Sequence, residues 1–464
     1  MSARGGMTRR DFLRVGGAAA AGLLASGLPD GRAWAQQAAP NVLLIITDQQ
    51  HINAISAAGC PDISTPAMDA LVARGTRFVH SVSANPLCSP ARSAIFTGRT
   101  SSEAGVHENG LRVRAELPNL GQWLSERAGY EAIYAGKWHL PQTYTHFIPG
   151  FRTISTGIGG QGNLGDTAVS RACEGFLRNR SSEQPFLLVA SFLQPHDICE
   201  WLRLNAGRRD ELAYPWLADE LPPLPANFGF DPLEPETVGS RRAGNEGVGN
   251  GWSEEQWRWY LWSYYRHVEM VDAEIGRVLG ALADAGRADD TLVIFTADHG
   301  EGTAHHQMTR KNLLYEEALA VPLVLALPGA IADGAVDETH LASGLDIAPT
   351  VCDFAGVAAP PMMRGRSLRP ALEGADATWR EFCVSEVQAN TGRMVRTDRY
   401  KYITYAGDPV EQLFDMAEDP GELSNLADDA AHADVLADHR SMLREWEATL
   451  DVAGNVPGRE AWVG

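Results

Sequence analysis

Asn41-Val42-Leu43-Leu44-Ile45-Ile46-Thr47 runs without a break into Asp48-Gln49. Thr291-Leu292-Val293-Ile294-Phe295-Thr296 runs, after Ala297, into Asp298-His299-Gly300-Glu301. Both are short, largely apolar and rich in β-branched residues, and both end in an acid. A strand covered on both faces reads as such a continuous run, not as an alternation. Glu131 to Ala135, Phe186 to Phe192 and Val321 to Leu327 share the character. Between them, Thr65 to Arg74, Leu117 to Ala128, Asp166 to Arg178 and Leu345 to Gly356 have helical periodicity. Ser253 and Gln256 form a capping box for a long helix that reaches Ala285 and stops at Gly286. Strand-helix alternation predicts an α/β fold, a mostly parallel central sheet with helices on both faces. Ligands of such sheets bind beyond the carboxyl ends of the strands, where Asp48, Gln49, Asp298 and His299 stand.

Outward from this frame the character changes twice. From Trp379, short strands over Phe382 to Val387, Met394 to Arg396, Tyr400 to Tyr405 and Leu413 to Asp415 precede a helix with Leu436, Leu443, Trp446 and Leu450 on one face. This predicts a small C-terminal α+β subdomain with an antiparallel sheet, residues 376–464, after a catalytic domain over 36–375. Residues 200–250, rich in Pro, Gly and Arg, read as a long surface insertion. Its Arg203, Arg208, Arg209, Arg241 and Arg242 read as solvated, with one or two of them able to meet a second anionic group. Of Trp201, Trp216, Trp252, Trp257, Trp259 and Trp262, about half are expected to pack the long helix and the rest to offer a platform to a sugar or aromatic group.

Residues 1–35 read as an address. Thr8-Arg9-Arg10-Asp11-Phe12-Leu13-Arg14, a weakly apolar run from Val15 to Leu28, and Ala33-Trp34-Ala35 make a twin-arginine signal with its cleavage site. That predicts export to the periplasm or beyond, after folding. No later run reaches membrane-spanning length. The 464 residues carry a net charge of -20, which becomes -23 once the five Arg and two Asp of the signal are removed. Nucleic acid is thereby excluded as a partner, and a cation is favoured. Six cysteines lie at no zinc-like spacing, and their pairing stays open. Lysine occurs only at positions 137, 311 and 401.

Two acid-bearing strand ends bring three oxygen side chains and an imidazole (Asp48, Gln49, Asp298, His299) around one divalent cation. This set suits Ca²⁺ first, with Mg²⁺ or Mn²⁺ as alternatives. The other reading, each acid capping the next helix, is the weaker for the pair.

Cys88-Ser89-Pro90-Ala91-Arg92, followed by Thr97-Gly98-Arg99, resembles the signature of the sulfatase family. Asp48-Gln49, Gly136-Lys137-Trp138-His139, Pro195-His196-Asp197, Asp298-His299-Gly300-Glu301, Lys311 with Tyr315-Glu316-Glu317, and Arg396 to Tyr402 with Leu413-Phe414-Asp415 resemble its other segments, in the same order. The Asp-Gln and Asp-His pairs resemble the branch with choline sulfatase-like enzymes and phosphonate monoester hydrolases. The resemblance implies an alkaline phosphatase-like fold. It also implies a formylglycine (3-oxoalanine) made from Cys88 by a cytoplasmic formylglycine-generating enzyme. The hydrate of that aldehyde is the nucleophile and, at position 88, a further metal ligand.

Roles then follow from the chemistry of sulfate ester hydrolysis. Arg92 holds the hydrate, Lys137 and Lys311 meet sulfate oxygens, and His139 takes a proton. His196 protonates the leaving group. Asn109, twenty-one residues after Cys88, falls where that branch has a substrate-binding asparagine. His305 and His306 are read as structural, and Lys401 as a solvated strand residue. The expected substrate is a small sulfated molecule or a terminal sulfated sugar. The rivals are a phosphonate or phosphate ester hydrolase and a non-catalytic periplasmic binder of sulfated ligands.

Overall fold

The computed structural model describes residues 39–157, 161–205, 207, 215–244, 249, 251–375 and 378–452. The signal over 1–35, with Arg208 and Arg209, lies outside them. Strands in chain order are β1 (Asn41–Asp48), β2 (Thr76–Phe78), β3 (Ser81–Val82), β4 (Glu131–Gly136), β5 (Arg152–Ser155), β6 (Phe186–Pro195), β7 (Thr291–Ala297), β8 (Leu323–Ala326), β9 (Ala335–Asp337), β10 (Ala342–Ser343), β11 (Cys383–Val387), β12 (Gly392–Arg396), β13 (Tyr400–Tyr405) and β14 (Gln412–Asp415). The main sheet has the order β5-β4-β6-β1-β7-β8-β2-β9. It is parallel except at β8, which runs antiparallel to both neighbours. The expected α/β architecture is observed.

β1 is central, parallel to β6 on one side and β7 on the other, and every residue in it is buried. Covered on both faces, it tolerates no alternation, so its residues 42–46 are unbroken Val, Leu and Ile. The edge strands β5 and β9 bury little and have no apolar run, which is why the sequence did not disclose them. Register decides the site. Thr47 pairs with Ala297, so Asp48 and Asp298 leave adjacent strands side by side.

The helix Glu254–Asp284 begins at the expected capping box of Ser253 and Gln256. Its Val268, Val271, Ile275, Val278 and Leu282, spaced three and four apart, enter the core shared with Val169, Cys173 and Leu177 of the helix Gly162–Asn179. Trp252 and Trp257 are buried in the same core, and Trp201 packs edge-on against Trp252 at 5.9 Å. Trp216 is 71% exposed.

The strands β11 to β14 form the expected antiparallel sheet in sequential order. Val387, Met394, Ile403 and Phe414 of this sheet share a core with Leu313, Leu314, Tyr315 and Leu319. The segment 308–319, which follows Asp298-His299-Gly300-Glu301, is therefore the floor on which the C-terminal sheet rests.

Three expectations are corrected. The 200–250 stretch is not simply a surface insertion. Leu202 is fully buried in the helix Ile198–Asn205, and Val238 in the helix Glu236–Ala243. Arg242 is buried, ion-paired to Glu234 and 3.7 Å from the centre of the Phe230 ring. A guanidinium is buried only with such partners, and an arginine count cannot show them. Lys401 is not solvated but fully buried, with Nζ 3.0 Å from Glu316 and 2.8 Å from Glu422. Both acids come from outside its own strand, so strand patterning gave no sign of them.

Candidate active site

The carboxylates of Asp48 and Asp298 are fully buried, and one guanidinium joins them. Arg92 Nε donates to Asp298 Oδ2 at 2.9 Å and Nη2 lies 3.4 Å from Asp48 Oδ2. Its Nη1 donates to the carbonyl of Lys137 and to Ser191 Oγ, both at 2.8 Å. With its donors so engaged, Arg92 acts as a strut that fixes the two acids and the end of β4. Lys137 follows Gly136, the last residue of β4, and its ammonium is ion-paired to Asp48. Gly136 has φ 104°, and a Cβ there would meet the Ser191 carbonyl oxygen at 1.9 Å, so only glycine lets the chain turn Lys137 inward.

Cys88 is the first residue of the helix Cys88–Thr97, which closes at Gly98 with φ 63°. All ten residues of this helix are buried, so its start is fixed from every side. Cys88 Sγ is 3.2 Å from His299 Nε2 and 3.9 Å from Asp48 Oδ1. The ligating atoms of Asp48, Cys88, Asp298 and His299 all lie within 4.8 Å of one another. Burial pushes the Cys88 thiol up and Asp48 adds to it, yet Lys137, Lys311 and His299 hold it well below the ordinary thiol value. Burial also opposes ionisation of Asp48, but Lys137, His196, Arg92 and Lys311 keep it well below the carboxylate range. Asp298 is pushed up by burial and then by the charge of Asp48. Two carboxylates grouped this closely with a thiol and an imidazole are a fit for a divalent cation, which would offset their mutual repulsion.

Gln49 has φ 70° and completes the donor set. Its Oε1 accepts from the Lys311 ammonium and its Nε2 donates to Glu301. Glu301 is fully buried and also accepts from the Tyr260 hydroxyl and, at 2.5 Å, from the Arg310 N–H. Tyr260 stands in the aromatic cluster of Trp201, Trp252 and Trp257. Packing of the long helix is thus transmitted through Glu301 to Gln49. Sequence reasoning quoted Glu301 without giving it a task and missed Tyr260. Glu301 had a signal in its place beside the metal pair, whereas a tyrosine in an amphipathic helix has none.

The remaining residues fall around this centre. Ser89 Oγ donates to the His139 carbonyl at 2.6 Å, and the buried His139 Nδ1 has no hydrogen-bond partner. The pKa of His196 is pushed down to about 3 by burial and then by the charge of Lys311. Asn109 is exposed, and its Oδ1 accepts the Ser89 N–H at 2.9 Å, so it caps the helix that carries Cys88. Asp197 faces away, accepting from the N–H groups of Gly162 and Asn163. All six cysteines are free thiols.

Comparison with known proteins spans nearly the same residues as these segments. The sulfatase family model matches residues 40–357, and the model for the C-terminal part of N-sulphoglucosamine sulphohydrolase matches 304–449. A Δ4,5-hexuronate-2-O-sulfatase of Bacteroides thetaiotaomicron is 32% identical over 443 residues, with 90% of each chain covered. The solved structure of a 2-O GAG sulfatase has a TM-score of 0.80 at 30% identity, covering 90% of this chain and 96% of that one. The phosphonate monoester hydrolase of Agrobacterium radiobacter has a TM-score of 0.75 at 25% identity, covering 88% and 95%.

Proposed function

The chain belongs to the sulfatase family and is a sulfuric ester hydrolase, and from that premise we propose that it acts on a small sulfated molecule or a terminal sulfated sugar. In this reading Cys88 is converted to formylglycine and one divalent cation, Ca²⁺ first, is held by Asp48, Gln49, Asp298, His299 and position 88. The observation that carries it is Cys88 at a helix start, its Sγ 3.2 Å from His299 and inside a buried set of metal-ligating atoms. The hexuronate and GAG sulfates named for the relatives support a sugar as the carrier.

The modified residue and the cation would supply an activated hydroxyl for attack at sulfur and positive charge at a sulfate oxygen. The chain's own groups do the rest. Buried Lys137 and half-buried Lys311 bring two ammonium charges to the sulfate, in a site where shielding from solvent makes each worth more than in water. The open Nδ1 of His139 accepts a proton. His196 is neutral at rest, and an arriving anion offsets Lys311 and raises its affinity for the proton it gives to the leaving oxygen.

The twin-arginine reading places the mature enzyme in the periplasm or outside the cell, with the aldehyde installed before export. A mass spectrum of the Cys88 peptide from signal-bearing precursor and from active enzyme tests this. Aldehyde in both supports the reading, and intact thiol in fully active enzyme overturns the nucleophile. Sulfate and phosphonate esters of one alcohol, offered in competition, test the reaction. A higher kcat/KM on the phosphonate would favour the chemistry of the Agrobacterium neighbour.

A further inference from the structure

A second buried group of ligating side chains lies outside the catalytic centre. His306 comes from the loop after the second metal pair, Glu317 from the short helix Glu316–Leu319, and Glu422 from the segment after β14. All three are buried, and one ligating atom of each lies within 4.8 Å of the other two. An ion about 2.0 to 2.4 Å from each of its ligands needs spacings no greater than this.

The Glu317 carboxylate is unevenly served. Its Oε1 accepts from Asn227 Nδ2 at 3.0 Å and lies 3.1 Å from His305 Nδ1. Its Oε2 is buried without a hydrogen-bond partner and faces His306 Nε2 at 3.9 Å. An anionic oxygen left so is costly, typically by about 1 to 3 kcal/mol or more. Charge points the same way. Lys401 is shared by Glu316 and Glu422, with Arg396 acting on Glu316, whereas Glu317, which burial pushes up, is held well below the carboxylate range first by His305 and then by His306 and His51.

The loop that bears His306 also bears Lys311. Thr303, Ala304, His306, Gln307 and Arg310 all have positive φ, between 43° and 66°, which side chains other than glycine adopt at a cost. A small cavity lined by His306 and Glu317 reaches Arg310 and Lys311.

We propose that His306, Glu317 and Glu422 bind a second divalent cation, which pins the Lys311 loop to the C-terminal sheet. One imidazole and two carboxylates suit Zn²⁺ or Mn²⁺ better than Ca²⁺, which takes six to eight oxygens. The ion would satisfy the bare oxygen of Glu317 and hold His306 in its left-handed conformation.

Zn²⁺ is the probe. Crystals of the full chain measured at the zinc edge should show an anomalous peak between His306 Nε2 and Glu317, and no peak there overturns the proposal. In solution, calorimetric titration of the full chain should give a zinc site with a Kd below about 10 μM, lost in Glu317→Gln and in Glu422→Gln. Zinc uptake unchanged in both variants, or uptake that disappears only in Cys88→Ala, assigns the ion to the catalytic centre and overturns it too. Should those variants fail to fold, the anomalous peak in the unsubstituted chain still decides.

Discussion

Glu301 accepts the side-chain N–H of Gln49, and because a carboxylate has no donor, this contact decides which way the amide is turned. The oxygen end is left to Lys311 and the metal pocket. The arrangement makes Glu301 a positioning residue, acting through Gln49.

Glu301→Gln should therefore weaken cation binding by roughly 10- to 100-fold, the usual effect of losing an outer partner of a metal ligand. An amide at position 301 can pair with Gln49 in either orientation, so the oxygen no longer has a fixed direction. Calorimetric titration reads the effect directly, and an unchanged affinity would refute the role.

Arg92→Lys keeps the charge and loses the fork. An ammonium cannot reach Asp48, Asp298, the Lys137 carbonyl and Ser191 together. Breaking such a buried network is expected to destabilise the fold by about 3 kcal/mol or more. The midpoint of urea unfolding measures it, and a midpoint equal to that of the parent chain would count against the strut.

Gly136→Ala and Gly129→Ala form a matched pair. Both glycines have positive φ, but the new Cβ at 136 would strike the Ser191 carbonyl whereas at 129 nothing lies within 4 Å. Left-handed strain alone costs roughly 1 to 2 kcal/mol. Gly129→Ala should stay near that figure. Gly136→Ala should lower Tm well beyond it and reduce kcat/KM by moving Lys137. Equal Tm losses would show that the close approach does not matter.

His439 predicts an acid-side weakness in the C-terminal sheet. Burial pushes its pKa down, against hydrogen bonds to backbone carbonyls, so the folded state holds it neutral. Its Nδ1 meets the Val435 carbonyl at 2.8 Å and Nε2 meets Thr397 Oγ1 at 3.3 Å. The unfolded chain binds the proton first, so stability is lost as pH falls below about 6.5, the ordinary histidine value. His439→Gln should flatten the fall in unfolding free energy between pH 7 and pH 5. An identical slope in the variant would remove His439 as its source.

By itself the sequence determined the centre of the sheet, because a strand covered on both faces must be largely apolar, as residues 42–46 of β1 and 292–295 of β7 are. It also determined which side chains could meet at the strand ends, since Asp48 and Asp298 terminate such runs; that Cys88 opens a short helix beside them is supplied by the structure. The strand features are local, or recur with a fixed period. Tertiary structure alone decided that Lys401 and Arg242 are buried, because their partners Glu316, Glu422, Glu234 and Phe230 belong to other elements. It also decided that Asn109 caps the Cys88 helix and that Tyr260 supports Gln49 through Glu301. Whether a buried charge is tolerated depends on what lies opposite it in space. Sequence order does not contain that distance; only the folded register of the strands and helices supplies it.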